Sequence, residues 1–170
     1  MDTEEVHDLV GALATRRGAA PSEEQLLHVE VLVRRGDQAI LMVQRYRDDF
    51  VLPGGEVRPD ETAVEAARRQ LREETGLARS ISRLLAVDQS EVGGPLTLVF
   101  DGGMLMRDEA DSVALPSEGM DELVAVGWIP ATRMHQYVAD GHTDRVAEAL
   151  LALRAGNRLP MLLGGKHVPG

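Results

Sequence analysis

The segment GEVRPDETAVEAARRQLREETGL, from Gly55 to Leu77, constrains the fold more than any other part of this 170-residue chain. Strong helix formers fill residues 63–74, Asp60 is suited to cap the start of the helix, and Gly76 is placed to end it in a left-handed turn. Apolar side chains recur along one side of this helix at Val64, Ala67 and Leu71, and Thr75 continues the same side. The segment therefore predicts a helix that packs one face against a β-sheet.

A second face of the same helix is acidic. Gln70, Glu73 and Glu74 are neighbours at helical spacing, and Arg69 can pair with Glu73 one turn away. Glu61 falls in the first turn, where the helix dipole favours negative charge. A solvated helix with ordinary Glu–Arg pairs gives a similar pattern, but the preceding glycine turn and the fixed spacing favour a site for a divalent cation, which takes oxygen ligands.

This spacing resembles the Nudix box, a twenty-three-residue signature written G-x5-E-x7-R-E-U-x-E-E-x-G-U, where U is a bulky aliphatic residue. Phe50, Leu52 and Pro53-Gly54 are also similar to the strand that approaches the box in that family. The resemblance implies an α/β protein with a Nudix-type α/β/α sandwich and a mixed β-sheet. Eight of the nine defined positions match: Gly55, Glu61, Arg69, Leu71, Glu73, Glu74, Gly76 and Leu77.

The resemblance also implies a metal site for Mg²⁺ or Mn²⁺. Glu73 and Glu74 are then the metal ligands, and the carbonyl of Gly54 is expected to complete the shell, which would explain a glycine there. Glu61 is expected either to orient Arg69 or to reach a second metal ion through water. The alternative role for Glu61 is to stabilise the start of the helix.

One position departs from the signature, because Gln70 stands where the family has glutamate. In relatives that glutamate binds metal or acts as the general base, whereas an amide has no charge and cannot take a proton at neutral pH. Three interpretations stay open: the base lies elsewhere in the chain, the glutamate at position 70 was changed deliberately to trap a complex, or the protein has reduced activity.

An acidic loop ahead of Trp128 offers another base, since relatives often supply a carboxylate from a distant loop. The candidates, in order, are Glu122, Glu118 and Asp121, and the alternative is a merely solvated loop.

Substrate contacts are predicted after the second strand. Arg45 and Arg47 suit the outer phosphates of a substrate, and a base could stack on Tyr46 or Phe100. Ordinary surface arginines are the alternative, while Trp128 is expected in the core. The five histidines show no metal-ligand spacing and are read as structural or surface residues.

Composition narrows the class of protein. The length suits one domain with a proper core, and a net charge of −10 disfavours general affinity for nucleic acid. The absence of cysteine excludes disulfides and thiolate chemistry. No apolar run is long enough to span a bilayer and the start MDTEEVHD is acidic, so a cytoplasmic location is expected.

The rest of the chain alternates between strand-like and helix-like patterns. We expect an N-terminal helical extension (1–26, with a helix at 3–16), a Nudix domain (27–156) and a loosely ordered tail (157–170). Within the domain the patterns predict a hairpin of 28–35 with 38–44, strands at 81–88, 96–106 and 121–129, an exposed loop at 107–120, and helices at 131–137 and 143–155.

The function implied by the resemblance is hydrolysis of a phosphoanhydride in a nucleoside diphosphate linked to another moiety. The expected partner is a small, nucleotide-like diphosphate, with neither nucleic acid nor membrane, and homodimerisation is possible. The alternative, favoured by Gln70, is a catalytically weak domain that binds a nucleotide. The sequence leaves the particular substrate open.

Overall fold

The computed structural model describes residues 26–36, 38–45, 49–81, 83–115, 123–156 and 158–168. The expected N-terminal helix at 3–16 lies outside these ranges, so the extension stays a prediction. No helix in the described ranges is both long and apolar enough to cross a membrane.

One mixed sheet runs through the described part of the chain. Its strands are β1 Leu27–Arg35, β2 Ala39–Arg45, β3 Phe50–Val51, β4 Gly54–Glu56, β5 Leu84–Gln89, β6 Leu96–Leu105, β7 Leu123–Pro130, β8 Met161–Leu163 and β9 Lys166–His167. Their order in the sheet is β3-β2-β1-β6-β5-β8-β9, with β4 also paired to β1 and β7 to β2. The β1–β6 and β5–β8 pairs are parallel and the other pairs are antiparallel, including the predicted β1–β2 hairpin.

Helices cover both faces of this sheet. The first, α1 (Ala63–Thr75), packs on the face formed by Val29 and Val31 of β1, and α3 (Asp140–Ala155) packs on the opposite face with Leu32. This alternation follows from the two-residue period of a strand. The predicted α/β fold with a three-layer sandwich is therefore confirmed.

The start of α1 differs from the prediction. Its N-cap is Thr62 rather than Asp60: the Thr62 hydroxyl accepts the Glu65 N–H at 3.3 Å, and the Glu65 carboxylate accepts the Thr62 N–H at 2.8 Å. Thr62 caps the helix because Thr-x-x-Glu forms a reciprocal capping box that Asp60 cannot form. Glu61 consequently precedes the helix. The predicted end is confirmed, since Gly76 adopts a φ of 73°.

The bounds of other strands and helices also differ from the prediction. The strand expected at 81–88 begins only at Leu84, and the loop expected at 107–120 contains a short helix, α2 (Arg107–Asp111), anchored by buried Ala110. A 3-10 helix occupies Ala131–Gln136, and α3 begins three residues earlier than expected. The tail was expected to be loosely ordered, which is wrong for its described part: β8 pairs with β5 because Leu162 reaches the core.

Candidate functional site

The end of α1 places a carboxylate against the sheet. Glu74 is fully buried, on the same side of the helix as Ala67 and Leu71. A carboxylate in this position loses its hydration and needs polar partners.

Glu74 finds those partners on β2 and β4. Its Oε2 accepts the N–H of Gly54 at 2.9 Å, and its Oε1 accepts a hydrogen bond from Nη2 of Arg45. The same Nη2 atom also donates to the carbonyl oxygen of Gly54. Burial raises the pKa of Glu74, although Arg45 and the Gly54 N–H act in the opposite direction. One cationic nitrogen thus lies between two oxygens of the proposed metal site.

Glycine is required at position 54 for a steric reason. A Cβ there would overlap the carbonyl oxygen of Val29, because β4 lies directly against β1. Packing between the strands therefore already accounts for a glycine at position 54, and the role of its carbonyl as a metal ligand stays a prediction.

A second group of charges surrounds Arg69. Its guanidinium donates to both carboxylate oxygens of Glu61 (2.9 and 2.5 Å), to Glu73 at 3.1 Å and to the carbonyl of Glu56 at 3.2 Å. The predicted pairing of Arg69 with Glu73 is confirmed. The hydrogen bond from Arg69 is the main cause that lowers the pKa of Glu61 to about 2. Glu73 keeps 36% of its side chain exposed, so it stays accessible beside this network.

Gln70 points toward β4, the strand Gly54–Glu56 that stands where a glycine turn was predicted. A Cβ at Gly55 would overlap the side-chain amide of Gln70, so the glycine makes room for this side chain. Position 70 therefore lies beside the same strand that presents Gly54 to Glu74.

The remaining predicted site residues fall into two groups. Phe100 is buried in the core at 2% exposure, so the idea that a base stacks on it is wrong. Trp128 is partly buried against the core, and its Nε1 donates to the carbonyl of Ala110. The others lie outside the described residues and their roles stay predictions: Tyr46, Arg47, Glu118, Asp121 and Glu122.

The oxygen ligands that Gly54 and Glu74 offer fit a hard cation. A carbonyl and a carboxylate oxygen already converge on one positively charged atom, and these are oxygen ligands of the kind that Mg²⁺ and Mn²⁺ take. Over the described ranges, no three acidic or histidine side chains are grouped to hold a metal ion by themselves. The protein would supply few ligands, and water and substrate phosphates would complete the shell.

Two charged features of the molecule were not predicted from the sequence. A cavity of about 400 Å³ beside α1 is lined by four arginines and three other residues: Arg68, Arg69, Arg72, Arg79, Glu65, Ala78 and Ser80. Its signal was present in the helical spacing of Arg68 and Arg72.

The second missed feature lies on the opposite face of the sheet. Arg145 of α3 donates to Asp88 at 2.7 Å and to Glu30 at 2.6 Å, and all three side chains are largely buried. Burial opposes the charge of Arg145, but the two carboxylates raise its pKa overall. An aspartate within the apolar run LLAVDQ was the available signal.

Comparisons with known proteins agree with this architecture. The model of the NUDIX domain family matches residues 25–150. The chain is 38% identical over 72 residues to an ADP-ribose pyrophosphatase of Methanocaldococcus jannaschii, covering 38% of this chain and 43% of that protein. It is 26% identical over 136 residues to the 8-oxo-dGDP phosphatase NUDT18 of Homo sapiens, covering 78% of this chain and 41% of that one. The chain thus spans less than half the length of these two relatives.

A solved structure supports the fold. The MutT protein of Methanosarcina mazei Go1 superposes with a TM-score of 0.62 at 20% identity, covering 82% of this chain and all of that one. At this identity the match concerns the fold alone.

Proposed function

The chain belongs to the NUDIX domain family, and from this premise we propose that it is a metal-dependent hydrolase of a phosphoanhydride bond in a nucleoside diphosphate derivative. The observation that carries the proposal is the convergence of the Gly54 carbonyl and the Glu74 carboxylate on one cation position. The names of the two relatives, one for ADP-ribose and one for 8-oxo-dGDP, support a substrate with a nucleoside diphosphate part.

Gly54, Glu74 and the accessible Glu73 are the residues that would hold Mg²⁺ or Mn²⁺. When bound, such an ion neutralises charge on a diphosphate and favours ionisation of a bound water. Arg69 fixes the orientation of Glu73 and is itself held by Glu61. That arrangement favours the proposal that Glu61 acts by positioning Arg69.

The general base is proposed to lie outside α1. Gln70 cannot accept a proton at neutral pH, so Glu122 is the first candidate, followed by Glu118 and Asp121. Arg47 and Tyr46 are proposed to contact the substrate together with Arg45. Homodimerisation and a cytoplasmic location likewise stay predictions.

A direct test is the release of phosphate or nucleotide from a panel of nucleoside diphosphate derivatives, with Mg²⁺ or with EDTA. We expect turnover that EDTA abolishes and that Glu74→Gln strongly reduces. Glu91→Gln is a matched control, because it removes the same charge from an exposed position away from the site. An absence of metal-dependent turnover, including after Gln70→Glu, would contradict a hydrolase.

The second candidate function is nucleotide binding with weak or no catalysis, and Gln70 is the observation that favours it. Isothermal titration calorimetry separates the two functions. Tight binding of a nucleotide without its hydrolysis would support the binding domain and exclude the hydrolase.

A further inference from the structure

We propose that the guanidinium group of Arg45 occupies the position that a divalent metal ion would take, so that arginine and metal compete for the same oxygens. This inference rests on the proposed function, because it concerns the cation site at Gly54 and Glu74. It adds a role for Arg45 before substrate binds: a built-in counter-ion that metal loading displaces.

The first observation is that a single atom is shared. Nη2 of Arg45 donates both to the carbonyl of Gly54 and to Oε1 of Glu74. A metal ion held by these two oxygens cannot coexist with a nitrogen atom between them, because both would fill the same space. Binding of one therefore requires departure of the other.

The second observation is that Glu74 needs a cation. The side chain is 1% exposed, and its other oxygen is already bonded to the N–H of Gly54. A buried carboxylate without a compensating charge is unfavourable. Arg45 supplies that charge when no metal is bound, and the metal ion supplies it otherwise, so the carboxylate is paired in both states.

The third observation is that the side chain of Arg45 can leave the site toward solvent. It is the last residue of β2, at a shift in register between β2 and β7, and 31% of its side chain is exposed. Arg69 differs: it is 14% exposed and is held by Glu61, Glu73 and the Glu56 carbonyl together. Arg45 is therefore the arginine that can move, and once displaced it is free to meet the phosphate groups of the substrate.

The test is the affinity of the full chain for Mn²⁺, without substrate, measured by isothermal titration calorimetry. If Arg45 fills the site in most wild-type molecules, only the small fraction with an open site can bind Mn²⁺, and the apparent affinity of the wild type is lowered in proportion to that fraction. Arg45→Met should therefore bind Mn²⁺ at least about tenfold more tightly than the wild type. The melting temperature of Arg45→Met in EDTA should fall below that of the wild type. Mn²⁺ should raise the melting temperature of Arg45→Met by more than it raises that of the wild type.

Two further variants serve as controls for this test. Arg58→Met removes an exposed positive charge shortly before α1, and it should change Mn²⁺ affinity by no more than about twofold. Arg45→Lys keeps the charge but lacks the planar fork, so it should fold even if the methionine variant does not and bind Mn²⁺ with intermediate affinity.

The unfavourable outcomes are distinct. Equal Mn²⁺ affinity in the wild type, Arg45→Met and Arg45→Lys would overturn the competition, as would an equal gain in Arg58→Met. Absence of Mn²⁺ binding in every variant would overturn the proposed metal site itself, and the competition with it.

Discussion

Two buried carboxylates on opposite faces of the sheet have nearly the same hydrogen bonds but different surroundings. Glu74 accepts the N–H of Gly54 at 2.9 Å and pairs with Arg45, while Asp88 accepts the N–H of Gly165 at 3.1 Å and pairs with Arg145. The difference lies in the arginines, whose side chains are 31% exposed in Arg45 and 6% in Arg145.

This difference separates a structural pair from an exchangeable one. Arg145 is enclosed and shared with a second carboxylate, Glu30, so replacing it leaves buried charge behind. Arg45 faces solvent on one side, and its two acceptors are the Glu74 carboxylate and the Gly54 carbonyl oxygen, which suits replacement by a metal ion. The geometry of the hydrogen bonds alone would not have distinguished the two pairs.

The largest effect is expected at the carboxylates themselves. Glu74→Gln should lower kcat/KM for metal-dependent hydrolysis by roughly 10³-fold, because it removes a proposed metal ligand worth several kcal/mol in the transition state. Asp88→Asn, assayed at a temperature where it remains folded, should change kcat/KM by less than about tenfold, since Asp88 lies on the other face. Equal losses in the two variants would remove the distinction.

The arginines should differ in stability. Arg145→Met should lower the free energy of unfolding by about 3–5 kcal/mol, because two buried carboxylates lose their partner. Urea denaturation with and without Mn²⁺ checks this. Mn²⁺ should stabilise Arg145→Met by the same increment as the wild type, because its proposed metal site is intact, and it should stabilise Arg45→Met by a larger increment. Equal increments in all three proteins would contradict the competition between Arg45 and the metal ion.

The base should be found by comparing two substitutions. Glu122→Gln should reduce kcat by about 10²-fold or more, the usual contribution of a general base, while Gln70→Glu should change kcat by less than about tenfold. A gain of about 10²-fold in Gln70→Glu would instead assign the base to position 70 and mark this chain as a disabled form.

The smallest effect concerns pH. The pKa of Glu61 is lowered from 4.5 to about 2 by its hydrogen bond from Arg69, so its contribution to stability is present above pH 4.5 and is lost as pH falls toward 2. In EDTA, Glu61→Gln should reduce the slope of unfolding free energy against pH in this window. The expected reduction corresponds to about one proton fewer taken up on unfolding. An unchanged slope would mean that Glu61 is not held by Arg69 in solution.

The sequence predicted the features that depend on local patterns. Helix α1, its end at Gly76 and the pairing of Arg69 with Glu73 follow from spacing within one helix. The N-cap was missed because two residues, Asp60 and Thr62, suit that role, and only the reciprocal bond with Glu65 decides between them.

Contacts between distant segments could not be predicted in this way. Arg45 meets Glu74, and Asp88 meets Arg145, only because strand pairing and helix packing bring separate elements together. The tail was misjudged for the same reason, since three-residue β8 has too little pattern of its own and forms by pairing with β5.

The central claim is that Glu74 belongs to a cation site, and Mn²⁺ binding to the wild type and to Glu74→Gln, followed by electron paramagnetic resonance, tests it most directly. We expect saturable binding of Mn²⁺ by the wild type and its loss in Glu74→Gln, while Glu91→Gln binds as the wild type does. Equal Mn²⁺ binding by the wild type and a folded Glu74→Gln would contradict the claim.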